Sequence, residues 1–425
     1  MIYNSFSIRN TFQEDLNKDE HMKIFSIEIN DIKDLYNIIS KIGADPRSLP
    51  FFGAKDRIRH LYIRDMDPRA ANALKQELLS RGGDLIVSRH TIDCTVKTTD
   101  ALIMATDKQI SDLLKKLDFM PYWGLDSIQT ELAERFRILR RKRWKMELGR
   151  SRTPLVLDSY TRIMGIINVT PDSFFPGSRT SQEYLVSKAS GMLDDGARVL
   201  DIGAESTRPG APPVDQDEEI SRLVPAIKTL RSNFPDACIS ADTYKAGTAE
   251  QALAAGADII NDISGLSYSH DLASAVAEYN AILVIGHIRG TPLTMQESPF
   301  YNDPIAEITE ELEKSIEIAL GQKVSEDRII VDPGIGFGKR QYDNLSILKH
   351  INSFKSLGFP LLVGHSRKGF IGKITSEKDS EERLDGTLAV SSLCALKEIE
   401  MIRVHDVLQN RNAIKVLNAI KEVQS

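Results

Sequence analysis

Three polar residues that could bind a flat heterocycle each follow a short apolar run in the sequence. Asp242, Asn261 and Asp332 stand one or two positions beyond such a run, at the point where a buried strand would end. Carboxylates accept hydrogen bonds from ring N–H groups, whereas an asparagine amide both donates and accepts them. Any one of the three could instead tie a loop backbone, but three at equivalent positions favour the recognition of a ring that carries amide and amino N–H groups.

A second set of residues offers hydrogen-bond donors and positive charge. It comprises Ser366, Arg367, Lys368, Arg403 and His405, which follow or end the last two apolar runs of the chain. Phosphate sites in eight-stranded β/α barrels commonly lie beside the seventh and eighth strands. The predicted substrate therefore carries a diphosphate. Mg²⁺ is the expected cofactor, because proteins usually bind it through few side chains together with phosphate oxygens.

Two segments rich in glycine, proline, serine and threonine could cover such a ligand. They read NVTPDSFFPGSRT and DIGAESTRPGAPP, and neither has a helical pattern. Loops of this kind can close over a substrate and exclude water. Within them, Asn168 offers a neutral oxygen ligand, Thr207 a hydroxyl group and Arg208 a permanent fork-shaped cation.

The elements that must position these residues repeat one pattern eight times from residue 162 to the C-terminus. Each repeat has a short apolar run, a burst of polar and small residues, and a helical stretch. The runs are Arg162–Ile167, Arg198–Leu200, Ala237–Ser240, Asp258–Ile260, Ala281–Ile285, Arg328–Val331, Pro360–Val363 and Met401–Val404. Polar groups at the ends of buried strands are costly unless something satisfies them. In a (β/α)8 TIM barrel these strand ends converge on one face, where active sites are built. An open doubly wound sheet is the alternative, but its polar clusters would favour only the strands at the switch point.

The chain divides into segments of different character. Residues 1–21 are polar and are expected to lack stable structure, and residues 22–125 predict a small α/β domain of unknown role. Residues 126–160 predict a helical basic linker, and residues 161–425 form the predicted barrel. The basic run Arg137–Arg152 is interpreted as the solvated face of a helix rather than as an anion-binding arm. The fold class is thus α/β, a TIM barrel with a smaller N-terminal α/β domain.

Composition excludes several classes of function. With 425 residues, of which 41% are hydrophobic, the chain can bury the cores of two domains. Its net charge of −6 gives no electrostatic reason to expect a nucleic acid or a membrane surface as partner. We see no signal-peptide pattern and no run of 18 apolar residues. Cys94, Cys238 and Cys394 lie far apart, which predicts neither a zinc site nor disulfides and favours the reducing cytoplasm.

Two further motifs do not support the chemistry that they first suggest. GIGFGK at residues 334–339 lacks the spacing of both dinucleotide-binding and P-loop sequences. His287, His365 and His405 show no HxH or HxxE spacing, so a tightly bound transition metal is not expected.

An ordered set of motifs resembles the dihydropteroate synthases of the folate pathway over residues 162–425. The motifs are MGIINVTPDSF, DIGAESTRPGA, ISADTYKA, IINDISG, DPGIGFGK, GHSRKGFIG and RVHDV. The resemblance implies a TIM-barrel transferase that joins 6-hydroxymethyl-7,8-dihydropterin diphosphate to 4-aminobenzoate, forms 7,8-dihydropteroate and releases diphosphate. It also implies a homodimer.

The resemblance assigns roles to the candidate residues. Those that would bind the pterin are Asp242, Asn261, Asp332 and Lys368. Those that would bind diphosphate and Mg²⁺ are Asn168, Arg403 and His405, with Asn168 as the metal ligand. Those that would frame the aminobenzoate are Thr207, Arg208 and Ser366. Catalysis is expected of Lys368, Arg403 and His405, which would stabilise the departing charge, and of Thr207 and Arg208 in the covering loop.

This sequence departs from the family pattern at three places. The first loop continues with Phe175, Pro176, Gly177 and Ser178 where Ser-Asp-Gly-Gly is usual, Gly286 stands where Met precedes His287, and His365 replaces an apolar residue. We expect these changes to affect aminobenzoate binding and loop closure more than pterin binding.

Two other functions are compatible with a barrel that binds a pterin. A pterin-dependent methyltransferase of the same barrel family would share the Asp and Asn set but would not need the SRK and RVHDV cations. A non-catalytic pterin-binding subunit is the other, and Pro176 in the first loop favours it weakly.

Overall fold

A computed structural model describes residue 29 and residues 32–149, 153–169, 179–208 and 210–423. The chain forms two compact units that divide between Trp123 and Gly124. The strand predicted at residues 22–28 and the loop predicted to follow the first barrel strand, including Pro176, lie outside the described residues.

The first unit is the small α/β domain that the sequence predicted. Its elements are α1 (Ile32–Ile42), α2 (Leu49–Gly53), β1 (Ile58–Met66), α3 (Pro68–Leu79), β2 (Asp84–Val87), β3 (Thr99–Thr106) and α4 (Asp107–Leu117). The strands form an antiparallel sheet in the order β1-β3-β2. Asp67 caps α3, and Thr106 and Gln109 form a capping box at α4. Leu85 and Ile103 are fully buried, so this unit has a core of its own.

The second unit begins with the segment predicted as a helical basic linker. Its helix α5 (Leu125–Leu139) ends early in the basic run Arg137–Arg152 that was predicted to be helical, and β4 (Trp144–Met146) and β5 (Leu155–Leu157) form an antiparallel pair. The helix stops because β4 alternates buried and exposed side chains and pairs Trp144 with Leu157, which helical backbone could not do. The segment is therefore part of the barrel unit.

Eight parallel strands follow and close into a barrel, as predicted. They are β6 (Arg162–Asn168), β7 (Val199–Gly203), β8 (Cys238–Asp242), β9 (Ile259–Asp262), β10 (Ile282–Gly286), β11 (Ile329–Asp332), β12 (Leu362–Gly364) and β13 (Met401–Val404). The sheet order runs β11-β10-β9-β8-β7-β6-β13-β12. A parallel bridge between Val331 and Leu361 closes the ring, and Val331 N donates to Pro360 O at 3.0 Å.

Helices surround this sheet. They are α6 (Arg179–Asp194), α7 (Gln216–Asn233), α8 (Ala246–Ala255), α9 (Asp271–Glu278), α10 (Pro304–Gly321), α11 (Gln341–Lys349), α12 (Gly369–Thr375), α13 (Leu384–Leu396) and α14 (Val407–Lys421). No helix in the described part of the chain is both long and apolar enough to cross a membrane.

The barrel interior is apolar at the end where the strands begin. One buried residue near the start of each strand joins Trp144, Met146, Leu155 and Leu157 in a single cluster, and these eight are Met164, Val199, Cys238, Ile259, Ile282, Ile330, Leu362 and Met401. The β4–β5 pair therefore seals this end. Because successive side chains alternate across a strand, positions two residues further along also face the interior, at the opposite end of the barrel.

Candidate active site

This alternation places the polar candidates inside the mouth formed by the carboxyl ends of the strands. Asp201 lies two residues after Val199, Asn261 two residues after Ile259, and Arg403 two residues after Met401. Asp332 lies two residues after Ile330 on β11, and Asp242 lies four residues after Cys238 on β8, which places it on the same side of its strand. Asp201, Asp242 and Asn261 are at most 8% exposed. The fold thus brings residues from five strands into one buried polar layer.

Arg403 joins the acceptors of this layer across the barrel. Its Nε atom donates to Asp201 Oδ2 at 2.5 Å, and one terminal nitrogen donates to Asp242 Oδ2 at 2.5 Å. Asn261 Nδ2 donates to Asp201 Oδ2 at 3.4 Å. The fork of the guanidinium spans the two carboxylates, which a lysine ammonium could not do with the same geometry. The other oxygen of Asp242, Oδ1, has no hydrogen bond to any described residue.

The electrostatics of this cluster follow from burial and pairing. Burial raises the pKa of Asp242 above its usual range, although the Arg403 charge opposes the rise. Burial also disfavours the Arg403 charge, but Asp201 and Asp242 more than compensate, so the pKa of Arg403 is raised. Removing one member would leave a buried charge unpaired.

Lys368 lies at the same mouth, beside the loop that follows β11. Its Nζ atom donates to Ile335 O and lies 3.8 Å from the centre of the Phe337 ring. Asp332 Oδ1 accepts a hydrogen bond from Gly334 N at 2.7 Å. Burial lowers the pKa of Lys368 to about 7, with Asp332 opposing the change. Both protonation states of this amine are therefore accessible near neutral pH.

Ser366 and His405 form a pair beside this mouth. The Ser366 Oγ and His405 Nδ1 atoms are 3.0 Å apart, and His405 N donates to the same hydroxyl at 3.3 Å. Burial and the neighbouring Arg403 lower the pKa of His405 to about 4. The sequence suggested a positive charge here, but at pH 7 the imidazole is a neutral hydrogen-bonding group in this arrangement.

Arg367 does not add a free cation to the site. Its Nε and one terminal nitrogen donate to the two oxygens of Asp406, at 3.0 and 2.6 Å. The sequence counted Arg367 among the residues that offer positive charge, and in the structure this charge is paired with the aspartate of the RVHDV motif.

The covering loops carry the remaining predicted residues. Asn168 ends β6 with its side chain exposed at the mouth of the barrel, and Thr207 is half-buried while Arg208 is exposed in the loop after β7. A methyl group in place of the Gly203 hydrogen would lie 3.4 Å from Asp242 Oδ2 and 3.8 Å from Asn168 Oδ1. The oxygens of Asn168 and Asp242 thus flank one glycine.

Asn168 Oδ1 is a neutral oxygen of the kind that can bind Mg²⁺, whereas Asp242 Oδ2 already accepts a hydrogen bond from Arg403. Among the residues that the structure describes, no group of three His, Cys, Asp or Glu side chains could hold a metal ion. Mg²⁺ is usually held by one or two protein oxygens together with substrate phosphates and water. Asn168 with a bound diphosphate would meet that need.

Several residues of the site were not singled out from the sequence. Asp201 is the first residue of the DIGAESTRPGA motif, and only the strand register shows that it faces Arg403. Phe337 provides an aromatic face beside Lys368, and its signal was an aromatic residue inside the glycine-rich GIGFGK segment.

A buried chain of hydrogen-bonded side chains supports the loop after β11. Lys339 Nζ lies 2.9 Å from His287 Nδ1 and donates to Phe337 O at 3.0 Å. His287 Nε2 lies 2.6 Å from Glu311 Oε2. Burial and Lys339 lower the pKa of His287 to about 4. A neutral His287 that donates to Glu311 and accepts from Lys339 satisfies every contact.

His365 points away from the candidate site. Its Nε2 atom lies 2.8 Å from Ser391 Oγ, which donates in turn to Asn410 Oδ1 at 2.5 Å. The side chain is fully buried, and burial lowers the pKa of its imidazole to about 4. His365 therefore packs into the helix layer against α13 and α14, and its effect on aminobenzoate binding, through the neighbouring Ser366, stays a prediction.

Comparisons with known proteins agree with this geometry. The family model described as "Pterin binding enzyme" matches residues 164–405. The dihydropteroate synthase of Synechocystis is 42% identical over 261 residues, which is 61% of this chain and 90% of that protein. The chain belongs to the dihydropteroate synthase family. The Bacillus subtilis dihydropteroate synthase is also 42% identical over 261 residues, which is 88% of its length.

Solved structures show the same likeness in three dimensions. The Yersinia pestis dihydropteroate synthase in complex with a sulfonamide drug superposes with a TM-score of 0.60 at 34% identity, covering 66% of this chain and all of that one. The Xanthomonas albilineans dihydropteroate synthase with 4-aminobenzoic acid gives 0.58 at 37% identity, covering 63% of this chain and 96% of that one. The predictions of a dihydropteroate synthase and of a TIM barrel are confirmed.

One relative extends the match towards the N-terminus. A Halobacterium salinarum protein described as a probable bifunctional folylpolyglutamate synthase/dihydropteroate synthase is 38% identical over 359 residues. The match covers 83% of this chain and 42% of the Halobacterium protein. Residues 124–425 make up a smaller share of this chain than the match covers. The similarity therefore reaches into the first unit.

Proposed function

We propose that this enzyme condenses 6-hydroxymethyl-7,8-dihydropterin diphosphate with 4-aminobenzoate to give 7,8-dihydropteroate and diphosphate. The observation that carries the proposal is the Arg403 fork, which brings a cation of β13 into contact with the acceptors Asp201 on β7 and Asp242 on β8. A ligand bound there meets hydrogen-bond acceptors for a ring and cations for a leaving group in the same mouth. Family membership supports this choice of substrates.

The acceptors hold the pterin in this proposal. Asp242 and Asp332 accept hydrogen bonds from ring N–H groups, and Asn261 donates to and accepts from the ring edge. When ring donors pair with Asp242, they compete with Arg403 for the same carboxylate. Pterin binding then favours a rotation of the Arg403 side chain away from Asp242 and towards the diphosphate.

The reaction breaks the bond between the methylene carbon and the diphosphate oxygen and forms a bond from that carbon to the amine nitrogen, which loses a proton. Because the dihydropterin ring is electron-rich, positive charge can develop on the methylene carbon before the weakly nucleophilic amine attacks. Arg403 and Lys368 stabilise the departing diphosphate, and the loop with Thr207 and Arg208 keeps water from the cationic carbon. No covalent protein nucleophile is required.

Mg²⁺ is the proposed cofactor, with Asn168 as its protein ligand. When bound, the ion neutralises charge on the diphosphate and makes it a better leaving group. Neutral His405, whose Nδ1 accepts from Ser366, donates a hydrogen bond to the same group through Nε2.

We further propose a homodimer in the cytoplasm. Val416, Ile420 and Val423 are exposed at intervals of four and three residues along one face of α14 and its end, an apolar stripe suited to a second subunit. The three cysteines are free thiols, which is typical of a reducing compartment.

Release of diphosphate from the purified full-length protein tests the proposed reaction. The pterin diphosphate is supplied with Mg²⁺, with and without 4-aminobenzoate, and diphosphate and dihydropteroate are both quantified. We expect release that depends on the amine, with one dihydropteroate formed per diphosphate. Binding of the pterin without amine-dependent release at any Mg²⁺ concentration would instead indicate a non-catalytic pterin-binding protein.

A further inference from the structure

One half-buried lysine contacts both ends of the loop that carries Thr207 and Arg208. Residues 204–215 connect β7 to α7, and all of them except residue 209 are described. The Nζ atom of Lys245, just before α8, donates to Glu205 Oε2 at 2.5 Å and to Val214 O at 2.7 Å. Glu205 precedes Thr207 by two residues, and Val214 lies at the other end of the loop.

This ammonium supplies the positive charge that two buried carboxylates share. Lys245 Nζ also donates to Glu219 Oε2 in α7 at 2.9 Å, and Thr248 Oγ1 donates to the same oxygen at 3.0 Å. The side chains of Glu205 and Glu219 are 5% and 1% exposed, so each needs a cation beside it. Burial opposes the charge of Lys245, but its two carboxylate partners raise its pKa overall.

We call the contacts of Lys245 with Glu205, Val214 and Glu219 the Lys245 anchor. Two tyrosines connect this anchor to the neighbouring loops. Tyr244 OH donates to Glu205 Oε1 at 2.7 Å, and its ring packs edge-on against Tyr268 with 5.2 Å between centroids. Tyr268 OH donates to Gly290 O at 2.6 Å. Glu205 is thus connected to the loops after β8, β9 and β10, which form a continuous rim on one side of the mouth.

We propose that Lys245 is a positioning residue of the condensation, which fixes the loop after β7 so that Thr207 and Arg208 can bind the aromatic amine. This inference rests on the proposed function. Lys245 makes no hydrogen bond to the pterin-binding candidates Asp242, Asn261 and Asp332 within the described residues. Its influence should therefore fall on the amine, which binds under the loop, more than on the pterin, which Lys245 reaches only through the effect of the Glu219 charge on Asp242.

The test compares the changes in the KM for 4-aminobenzoate and in the KM for the pterin diphosphate that Lys245→Met causes. We expect the KM for 4-aminobenzoate to rise by about tenfold or more, because small displacements of positioning groups are costly, while the KM for the pterin diphosphate changes by less than about threefold. Lys245→Arg should recover part of the loss, since a guanidinium can pair with both carboxylates. An equal rise in both constants, or no rise in either, would overturn the inference.

Lys355→Met provides a matched control at the opposite end of the barrel. Lys355 Nζ also donates to a backbone carbonyl, Glu398 O at 2.7 Å, and lies 3.3 Å from the buried Glu400 carboxylate. Its loss should lower the stability without separating the two Michaelis constants. If Lys245→Met does not fold, Glu205→Gln gives the same readout, because Lys245 then keeps Glu219 and Val214 O as partners.

Amide hydrogen exchange separates this inference from the proposed function. Exchange in residues 204–208 and 210–215 should be faster in Lys245→Met than in the wild type, and direct binding of 4-aminobenzoate should be weaker. Unchanged exchange in that loop would refute the anchor whether or not the protein is active. Faster exchange, together with a wild type that shows no amine-dependent diphosphate release, would refute the proposed reaction and leave the anchor in place.

Discussion

Lys368 is the residue whose protonation should control the pH dependence of the enzyme. Burial lowers its pKa to about 7, so raising the pH above this value removes the charge that stabilises the departing diphosphate in the proposed reaction. Because kcat/KM reports ionisations of the free enzyme, we expect kcat/KM for the pterin diphosphate to fall as the pH rises through about 7 to 8. A profile measured from pH 6 to 9 at saturating amine would show this.

Two substitutions at this position separate charge from size. Lys368→Ala should lose pterin binding and turnover, whereas Lys368→Arg keeps its charge throughout this range and should lack the alkaline fall. The substrate's own ionisation is common to all three proteins and cancels in the comparison. Unchanged kinetics in Lys368→Ala would refute the assignment, and the same alkaline fall in Lys368→Arg would show that another group titrates.

At the same scale, the sequence predicted which residues reach the mouth better than which of them are already paired. Asp242, Asn261, Asp332 and Lys368 were predicted because they follow apolar runs, and the structure places them together. The pairing of Arg367 with Asp406 and the orientation of His365 towards Ser391 could not be predicted. Both depend on the twist of a short strand end and on contacts with helices distant in sequence.

At the scale of elements, all eight barrel strands were predicted to within a few residues. Their apolar runs are short and regularly spaced, which is typical of parallel strands that are buried on both faces. The helix α5 was predicted too long, because the β4–β5 pair that ends it is formed with residues about eleven positions further along. Its basic residues also gave no signal of a strand.

The glycine-rich loop after β11 should be the least tolerant element of the site. Gly334 has φ +70°, and a Cβ atom there would overlap His287 O. We expect Gly334→Ala to lower the free energy of unfolding by about 3 kcal/mol, from backbone strain and displaced neighbours, and to weaken pterin binding through Asp332. Urea denaturation would measure the first effect.

Gly321→Ala is the control for that substitution. Gly321 ends α10, and a Cβ atom there would have nothing within 4 Å. This change should leave the stability equal or raise it by up to about 1 kcal/mol, since alanine restricts the unfolded chain. Equal stabilities of the two variants would contradict the claim that the β11 loop requires glycine at position 334.

At the scale of the whole molecule, the two units should separate at residue 123, because the segment predicted as a linker at residues 126–160 belongs to the barrel unit. All the barrel strands and all the candidate site residues lie in the second unit. A chain that starts at Gly124 should therefore fold, remain a dimer through the α14 stripe and keep its turnover. Circular dichroism, light scattering and the diphosphate assay would check each point.

A chain that starts at residue 151 should behave differently, although it still contains every barrel strand. It lacks Trp144 and Met146, which are 6% and 1% exposed and cover the apolar end of the barrel. Each contributes about 2 kcal/mol by burial, so their removal should cause a much lower melting temperature or aggregation. If the shorter chain were as stable as the longer one, the β4–β5 pair would be dispensable. If the longer chain folded but lost turnover, the first unit would take part in the reaction.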